Sequence, residues 1–456
     1  MKNFKTAAVR PIVRSLVRLA LAGTACGCLC TGTSAQNLGM KAPAQSEPVV
    51  ITGVTVHTVS GETIPGGHVA FNGGVITSVG AGAAPGVAGQ RPKVIDGAGK
   101  HVYPGLIGAN TVMGLIEVNA ARATQDSDEV GEFTPEVRPA VALNPDSNVI
   151  PVARTNGVLL SGVMPMGGLV PGRVSVILHD GWTWEDMTVR DDAGLVVNWP
   201  NVRPVSTWWM SKSDAEQLED IKANLKKIDA YFDAAAAYFG AKSADDTVPT
   251  DLRFEAMRRV ISGELPVFAR ADEWDQIESA VSFAVRRKLK MVIVGGRDAP
   301  LAAESLKRAG VGVIVTGTFR MPKRDDSPYD DAFTLPVRLE GAKVEWCLAT
   351  EGGEFQTPHE RNLPYHAAMA VSHGLSREAA IRAITLGPAR LLGVADRYGS
   401  IEKGKSATLI VTDGDPLEMT TKISHAFIDG REIDLRNKQT ELDAKYREKY
   451  RRLRGN

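Results

Sequence analysis

Residues 102–107, Val-Tyr-Pro-Gly-Leu-Ile, mark the point at which the hydrophobic pattern of this chain changes. Before them, short alternating apolar runs are broken by glycine-rich turns, which is typical of β-hairpins. After them, continuous apolar runs of four to seven residues recur, and such runs are typical of parallel strands buried on both faces. There are eight of these runs, at residues 102–107, 158–164, 174–178, 195–199, 266–269, 291–294, 311–315 and 344–349.

Helical periodicity follows several of these runs, most clearly at residues 212–238, 274–288 and 301–309. Buried strands that alternate with helices predict an α/β fold, and eight of them predict a TIM-like (β/α)8 barrel. We place this barrel at residues 102–393. Strand signals at 49–101 and again at 394–435 predict a small β-sandwich formed from both terminal segments. Residues 436–456 carry mixed charge, which predicts a solvated helical tail.

The first 35 residues have the composition of a secretory signal peptide. They contain five basic side chains and no acidic one, then an apolar run at 19–30, and they end in Thr33-Ser34-Ala35. We therefore expect an exported, periplasmic protein whose residues 36–48 form a linker. Cleavage after Ala35 leaves Cys347 as the one cysteine, so no internal disulfide is expected. Lipid anchoring at Cys26, Cys28 or Cys30 stays open.

Charge and hydropathy exclude some classes of partner. The chain has 53 basic and 53 acidic side chains, and removal of the leader leaves 48 against 53. A mildly acidic protein binds the anionic phosphate backbone of nucleic acids poorly, so we expect no nucleic-acid partner. No later stretch reaches the ~18 apolar residues of a membrane span, so we expect no membrane-spanning segment.

Three segments resemble the amidohydrolase superfamily, and more narrowly the imidazolonepropionase-like metal-dependent hydrolases. They are residues 94–107, 379–393 and 399–411, in that order along the chain. The resemblance implies a TIM-like barrel with a β-sandwich built from both termini. It also implies hydrolysis of C–N bonds other than peptide bonds, by a water molecule activated on zinc or another divalent metal.

The metal-ligand positions that the resemblance implies carry other residues in this chain. Asn110 and Val112 occupy the places of the His-x-His pair, and Arg270 follows the fifth strand where a histidine is expected. Gly295-Gly296 replace the histidine after the sixth strand, and Glu351 replaces the usual aspartate after the eighth. A guanidinium is always charged and does not ligate metals. We therefore expect a degenerate metal site and no metal cofactor.

Polar residues at strand ends are the candidate site residues. Glu351 is the candidate catalytic residue, as a general base. Arg270, Asn110 and His179 are candidate ligand-binding residues, with Arg270 gripping a carboxylate through a bidentate fork. The alternative is that Arg270 and Glu351 form an ion pair that fills the space of the missing metal.

Two functional hypotheses follow from these residues. The first is a metal-free binding protein (a pseudoenzyme) or a partner subunit of an active relative, with a small anionic or zwitterionic ligand. It could form a homo-oligomer, or a hetero-oligomer with a metal-binding relative. The second is an active hydrolase of amides, lactams or dipeptides that uses a non-standard metal site or Glu351 as general base.

Overall fold

The computed structural model describes residues 40–85, 91–206 and 210–455. The expected signal peptide at 1–35 and the first residues of the expected linker lie outside this part of the chain. None of the described helices is both long and apolar enough to cross a membrane.

The described residues form strands and helices that alternate along the middle of the chain. The strands are β1 (Val49–His57), β2 (Thr63–Asn72), β3 (Val75–Ala81), β4 (Lys93–Asp96), β5 (His101–Pro104), β6 (Leu106–Thr111), β7 (Val158–Val163), β8 (Gly172–Arg173), β9 (Ser175–Leu178), β10 (Thr188–Arg190), β11 (Leu195–Asn198), β12 (Val267–Ala271), β13 (Met291–Gly295), β14 (Gly312–Thr316), β15 (Trp346–Ala349), β16 (Leu409–Thr412), β17 (Ile423–Ile428) and β18 (Arg431–Glu432). The α-helices are α1 (Val149–Thr155), α2 (Trp184–Met187), α3 (Asp214–Ala244), α4 (Leu252–Ile261), α5 (Trp274–Arg287), α6 (Ala303–Ala309), α7 (Asp331–Ala342), α8 (Leu363–Ser372), α9 (Arg377–Ala383), α10 (Leu386–Leu391) and α11 (Lys438–Arg454).

One sheet joins the two ends of the chain. Its strand order is β18-β17-β16-β5-β1-β2-β3, and β4 also pairs with β1. Its buried face has its own apolar core, in which the rings of Phe71 and Phe427 meet edge to face with centroids 5.0 Å apart. The sheet extends to Pro104, which pairs with Leu409. Gly105 then leads into the barrel. A Cβ on this residue would come within 2.8 Å of the Leu159 side chain, so the close approach requires glycine.

The barrel is built on parallel pairing, as the sequence predicts. Strands β11, β12, β13, β14 and β15 pair in parallel in chain order, and β6 pairs in parallel with β7. Their residues are almost all buried, which explains why the runs lack polar alternation. Helices follow β12, β13, β14 and β15, so the predicted TIM-like α/β architecture is confirmed.

The third predicted barrel strand, at 174–178, runs in the opposite direction to the one expected. It forms β9, which pairs antiparallel with β7 through Ser161 opposite Ile177. Only eleven residues separate β7 from β9. A parallel crossover takes a dozen or more residues, so this connection is too short for one, and the chain turns back beside β7. The carboxyl end of β9 therefore lies beside the amino end of β7.

The described part of the expected linker, residues 40–48, is packed against the body of the protein. The backbone N–H of buried Ala42 donates to both carboxylate oxygens of Asp180, at 3.2 and 3.3 Å. Asp180 is itself buried between two arginines, Arg154 at 3.6 Å and Arg431 at 3.1 Å. The Asp180 carboxylate thus connects the segment around Ala42, the barrel through Arg154, and the terminal sheet through Arg431.

Asp180→Ala should lower the free energy of unfolding by about 3–5 kcal/mol, because the guanidinium groups of Arg154 and Arg431 would lose the carboxylate that they share. Urea unfolding followed by circular dichroism measures this loss. Asp220→Ala, which removes the α3 partner of an exposed ion pair with Lys212, is the matched control and should leave the urea midpoint unchanged. Equal effects of the two substitutions would contradict the assigned role of Asp180.

Candidate functional site

A cavity of about 280 Å³ opens where the parallel strands end. Its wall includes the ends of β6, β12, β13 and β14 and the residues directly after β15, which is the end of a barrel where binding groups gather. These positions are occupied by Asn110, Arg270, Val294, Thr316 and Glu351. Further polar wall residues come from the loops: Asn201, Asp272, Glu273, Gln276 and Lys323.

Arg270 is a half-buried cation without an acidic partner. Its guanidinium donates to the carbonyl oxygens of Pro165 (2.9 Å) and Met164 (3.3 Å) and to Oδ1 of Asn198 (3.0 Å). Across the described residues, no carboxylate oxygen lies within 4.0 Å of its nitrogens. Burial lowers the pKa of Arg270 to about 10, so the side chain stays charged at neutral pH. The alternative of an Arg270–Glu351 ion pair is therefore wrong.

Asn110 and Glu351 also line the cavity. Asn110 is buried, and its Nδ2 donates to the backbone oxygen of Glu351 at 3.3 Å. Gly352 allows this approach, because a Cβ there would come within 2.2 Å of the Asn110 amide. The Glu351 side chain is exposed. The structure thus brings together three of the four residues selected from the sequence.

His179 is not part of this group, and the expectation that it lies at the mouth of the barrel is wrong. It follows β9, whose reversed direction puts it beside the first residue of β7. Its Nδ1 is 2.8 Å from the carbonyl oxygen of Val158, and its Nε2 is 2.9 Å from Oγ of Ser161. Complete burial lowers the pKa of His179 to about 3, so the ring is neutral. These contacts give it a structural role.

Sequence reasoning missed a buried acid next to these residues. Glu360 lies in a 3-10 helix, Thr357–Asn362, and is fully buried. Thr350 Oγ1 donates to its Oε2 at 3.0 Å, and Ser161 Oγ donates to its Oε1 at 3.4 Å. A third hydroxyl, from Thr111, also bonds this carboxyl group. Burial is the dominant effect, and it raises the pKa of Glu360 to about 7.

Glu360 fits because Gly108 has no side chain. A Cβ at Gly108 would lie 1.7 Å from Oε1 of Glu360, so the two groups cannot coexist. Two of the partners of Glu360, Thr111 and Thr350, directly follow or precede cavity residues in the chain. The sequence around Glu360 is polar and reads as a surface segment, so only the contact with Gly108 reveals that it is buried.

Comparison with known proteins now places the chain. The model of the Amidohydrolase family matches residues 329–433, which include β15 and the C-terminal strands of the sheet. The chain is similar to members of the amidohydrolase superfamily. It is 24% identical over 374 residues to imidazolonepropionase of Mesorhizobium japonicum, a match that covers 76% of this chain and 86% of that protein.

A longer relative and two solved structures are also similar to this chain. Amidohydrolase tasK of Hapsidospora irregularis is 23% identical over 406 residues, but the match spans 80% of this chain and only 39% of that protein. The crystal structure of an amidohydrolase from Thermotoga maritima has a TM-score of 0.74 at 24% identity, over 85% of this chain and all of that one. Molinate hydrolase has a TM-score of 0.51 at 17% identity, covering 87% and 96%. These structures share the fold.

The residues of this amidohydrolase-fold cavity do not fit a divalent metal. The two positions expected to carry the leading histidines have an amide, Asn110, and a buried valine, Val112. A guanidinium and a glycine pair stand at the later positions, so Glu351 is the one metal-binding side chain at the five positions compared. Among residues 40–85, 91–206 and 210–455, no group of three His, Cys, Asp or Glu side chains could hold a metal ion.

Glu360→Gln should change the pH dependence of stability. Because the folded pKa of about 7 exceeds the ordinary glutamate pKa of 4.5, the folded protein keeps a proton that the unfolded chain releases between these values. The contribution of Glu360 to the free energy of unfolding is therefore fully present below pH ~4.5 and is lost as the pH rises through ~7. The loss amounts to about 3 kcal/mol. Gln removes this dependence, so the variant should gain stability relative to the parent as pH rises.

Urea unfolding of both proteins at about pH 5 and about pH 8 measures the difference. Buried histidines such as His179 titrate in both proteins and cancel in the comparison. Glu62→Gln, at an exposed turn, is the matched control and should give no pH-dependent difference. A pH-independent effect of Glu360→Gln would contradict the assignment.

Proposed function

We propose that this protein binds a small anionic or zwitterionic molecule in the cavity, with Arg270 as the anchor and without a metal ion. The observation that carries this proposal is the guanidinium of Arg270, which is held by three neutral acceptors and has no carboxylate beside it among the described residues. A cation that is partly removed from water and lacks a counter-ion is costly. An anionic ligand supplies the missing charge.

The chemistry of the wall narrows the ligand class. A carboxylate suits a guanidinium because two parallel hydrogen bonds can form between them. Asp272, Glu273 and Glu351 also line the cavity, and Glu273 is paired with Lys323. Asp272 lies 3.9 Å from Arg320, whereas the exposed Glu351 carboxylate can receive an ammonium group, so a molecule with both charges matches the wall. The volume of about 280 Å³ limits the ligand to a small molecule.

A binding role has more support than a catalytic one. In the superfamily the attacking water is activated on a metal, for which this cavity lacks donors. As a general base, Glu351 would need a second group to orient it. No hydrogen bond to its carboxylate is present among the described residues. We therefore favour an exported, periplasmic binding protein, or a partner subunit of a metal-binding relative, over a hydrolase.

Arg270→Gln should weaken the binding of carboxylate ligands by at least about 30-fold, since it removes a desolvated charge pair. The probes are dipeptides and N-acetyl amino acids, each with its C-terminal amide as the uncharged counterpart, measured by isothermal titration calorimetry. Lys323→Gln is the matched control, because this cavity lysine is already paired with Glu273 and should matter little. Equal binding of acids and amides by the parent protein would refute the proposal.

Protein purified without a chelator should contain far less than one equivalent of zinc, iron, manganese or nickel, because the donor set does not fit them. Plasma mass spectrometry measures the content. A near-stoichiometric metal would refute the metal-free proposal. Hydrolysis of any dipeptide, amide or lactam that is abolished by Glu351→Gln would favour the alternative, an active enzyme with Glu351 as general base.

A further inference from the structure

The last helix, α11, makes almost no contact with the rest of the protein. It spans seventeen residues, none of them buried, and all except Glu448 are exposed. Isolated helices of this length are marginal in water, and most helices in proteins are stabilised by packing of one face. The capping box formed by Asn437 and Thr440 supports its first turn. An exposed helix of this kind presents a free surface.

The start of α11 is nevertheless held firmly on the barrel. Asn437 is buried, and its Nδ2 donates to Oγ1 of Thr155 at the end of α1, at 2.7 Å. The neighbouring Arg154 contacts Asp180, which in turn binds the backbone of Ala42. The helix therefore begins at the same end of the barrel as Ala42.

An apolar stripe runs along one side of α11. Leu442, Tyr446, Tyr450 and Leu453 follow at intervals of four, four and three residues, the spacing that aligns side chains on one helical face. All four are exposed, by 39%, 48%, 52% and 71%. Lysines flank the stripe: the Lys445 ammonium lies 6.0 Å from the ring centre of Tyr446, and that of Lys449 lies 5.6 Å from that of Tyr450.

Charge separates α11 from the rest of the protein. The helix carries seven cationic and three anionic side chains, whereas residues 40–437 carry 41 cationic and 50 anionic ones. A basic helix with leucine and tyrosine on one side is typical of segments that lie at the surface of an anionic membrane. Long lysine side chains beside the stripe can keep their ammonium groups at the headgroups while their stems cover apolar surface.

We propose that α11 docks on an anionic phospholipid surface, with Leu442, Tyr446, Tyr450 and Leu453 in the interface and the flanking lysines on the headgroups. The alternative occupant is a second copy of the chain, whose acidic residues 40–437 would contact α11 in a dimer. The membrane is favoured because tyrosine and lysine on one face match a boundary between apolar and charged layers.

The test is co-sedimentation of the full chain with phosphatidylglycerol vesicles and with phosphatidylcholine vesicles, at low and at high salt. We expect binding to the anionic vesicles that salt weakens, and little binding to the neutral ones. Lys445→Gln with Lys449→Gln should weaken binding by about 30-fold. Substitution of all four stripe residues by Gln leaves the charge of α11 unchanged, and glutamine is a good helix former. This variant should bind at least about tenfold more weakly.

Lys222→Gln with Lys226→Gln removes two lysines from α3, another exposed helix, and is the matched control that should bind like the parent. Circular dichroism and ligand binding at the cavity check that each variant is folded. Unchanged binding by the stripe variant, or equal binding to both vesicle types, would overturn the proposal. So would a dimer, seen by light scattering in the absence of vesicles, that the stripe variant converts to a monomer.

Discussion

Five parallel strands, β11 to β15, pair without a register shift, and the candidate site depends on that pairing. Asn198 lies opposite Arg270, and Arg270 lies opposite Val294, so the cavity wall is fixed by backbone hydrogen bonds. A slip of one residue would turn the guanidinium to the other face of the sheet. The buried apolar residues of these strands hold the register, because any slip would expose them.

Two ionisable side chains lie inside this barrel among uncharged partners. Arg270 is surrounded by carbonyl and amide oxygens, which are good acceptors but carry no full negative charge. Glu360 takes the space beside Gly108 and is surrounded by hydroxyl groups, in an environment that favours its neutral form. The two groups belong to different hydrogen-bond networks. Arg270 lines the cavity. Glu360 connects its 3-10 helix to Thr111 at the end of β6 and to Thr350 after β15 through hydrogen bonds.

The molecule has two surfaces with different chemistry. The cavity combines Arg270, which has no ion-pair partner among the described residues, with several carboxylates, and this combination suits a small molecule bearing both charges. At the barrel end that holds Ala42, the basic helix α11 begins, and residues 40–437 are acidic by comparison. A binding protein held at a membrane surface would need both. The superfamily scaffold permits this arrangement because site residues can change while the strands that position them are retained.

The sequence by itself determined the strands, the barrel and the family, because long apolar runs and local motifs are readable without tertiary contacts. It also brought Asn110, Arg270 and Glu351 into consideration, since parallel strands end at a common edge. Only the tertiary structure decided the direction of β9, because both directions bury the same apolar residues, and this direction removed His179 from the site. It alone revealed Glu360, whose burial depends on a glycine 252 positions earlier in the chain. A local sequence pattern predicts the secondary structure of a residue, whereas its contacts depend on packing between segments that are distant in sequence.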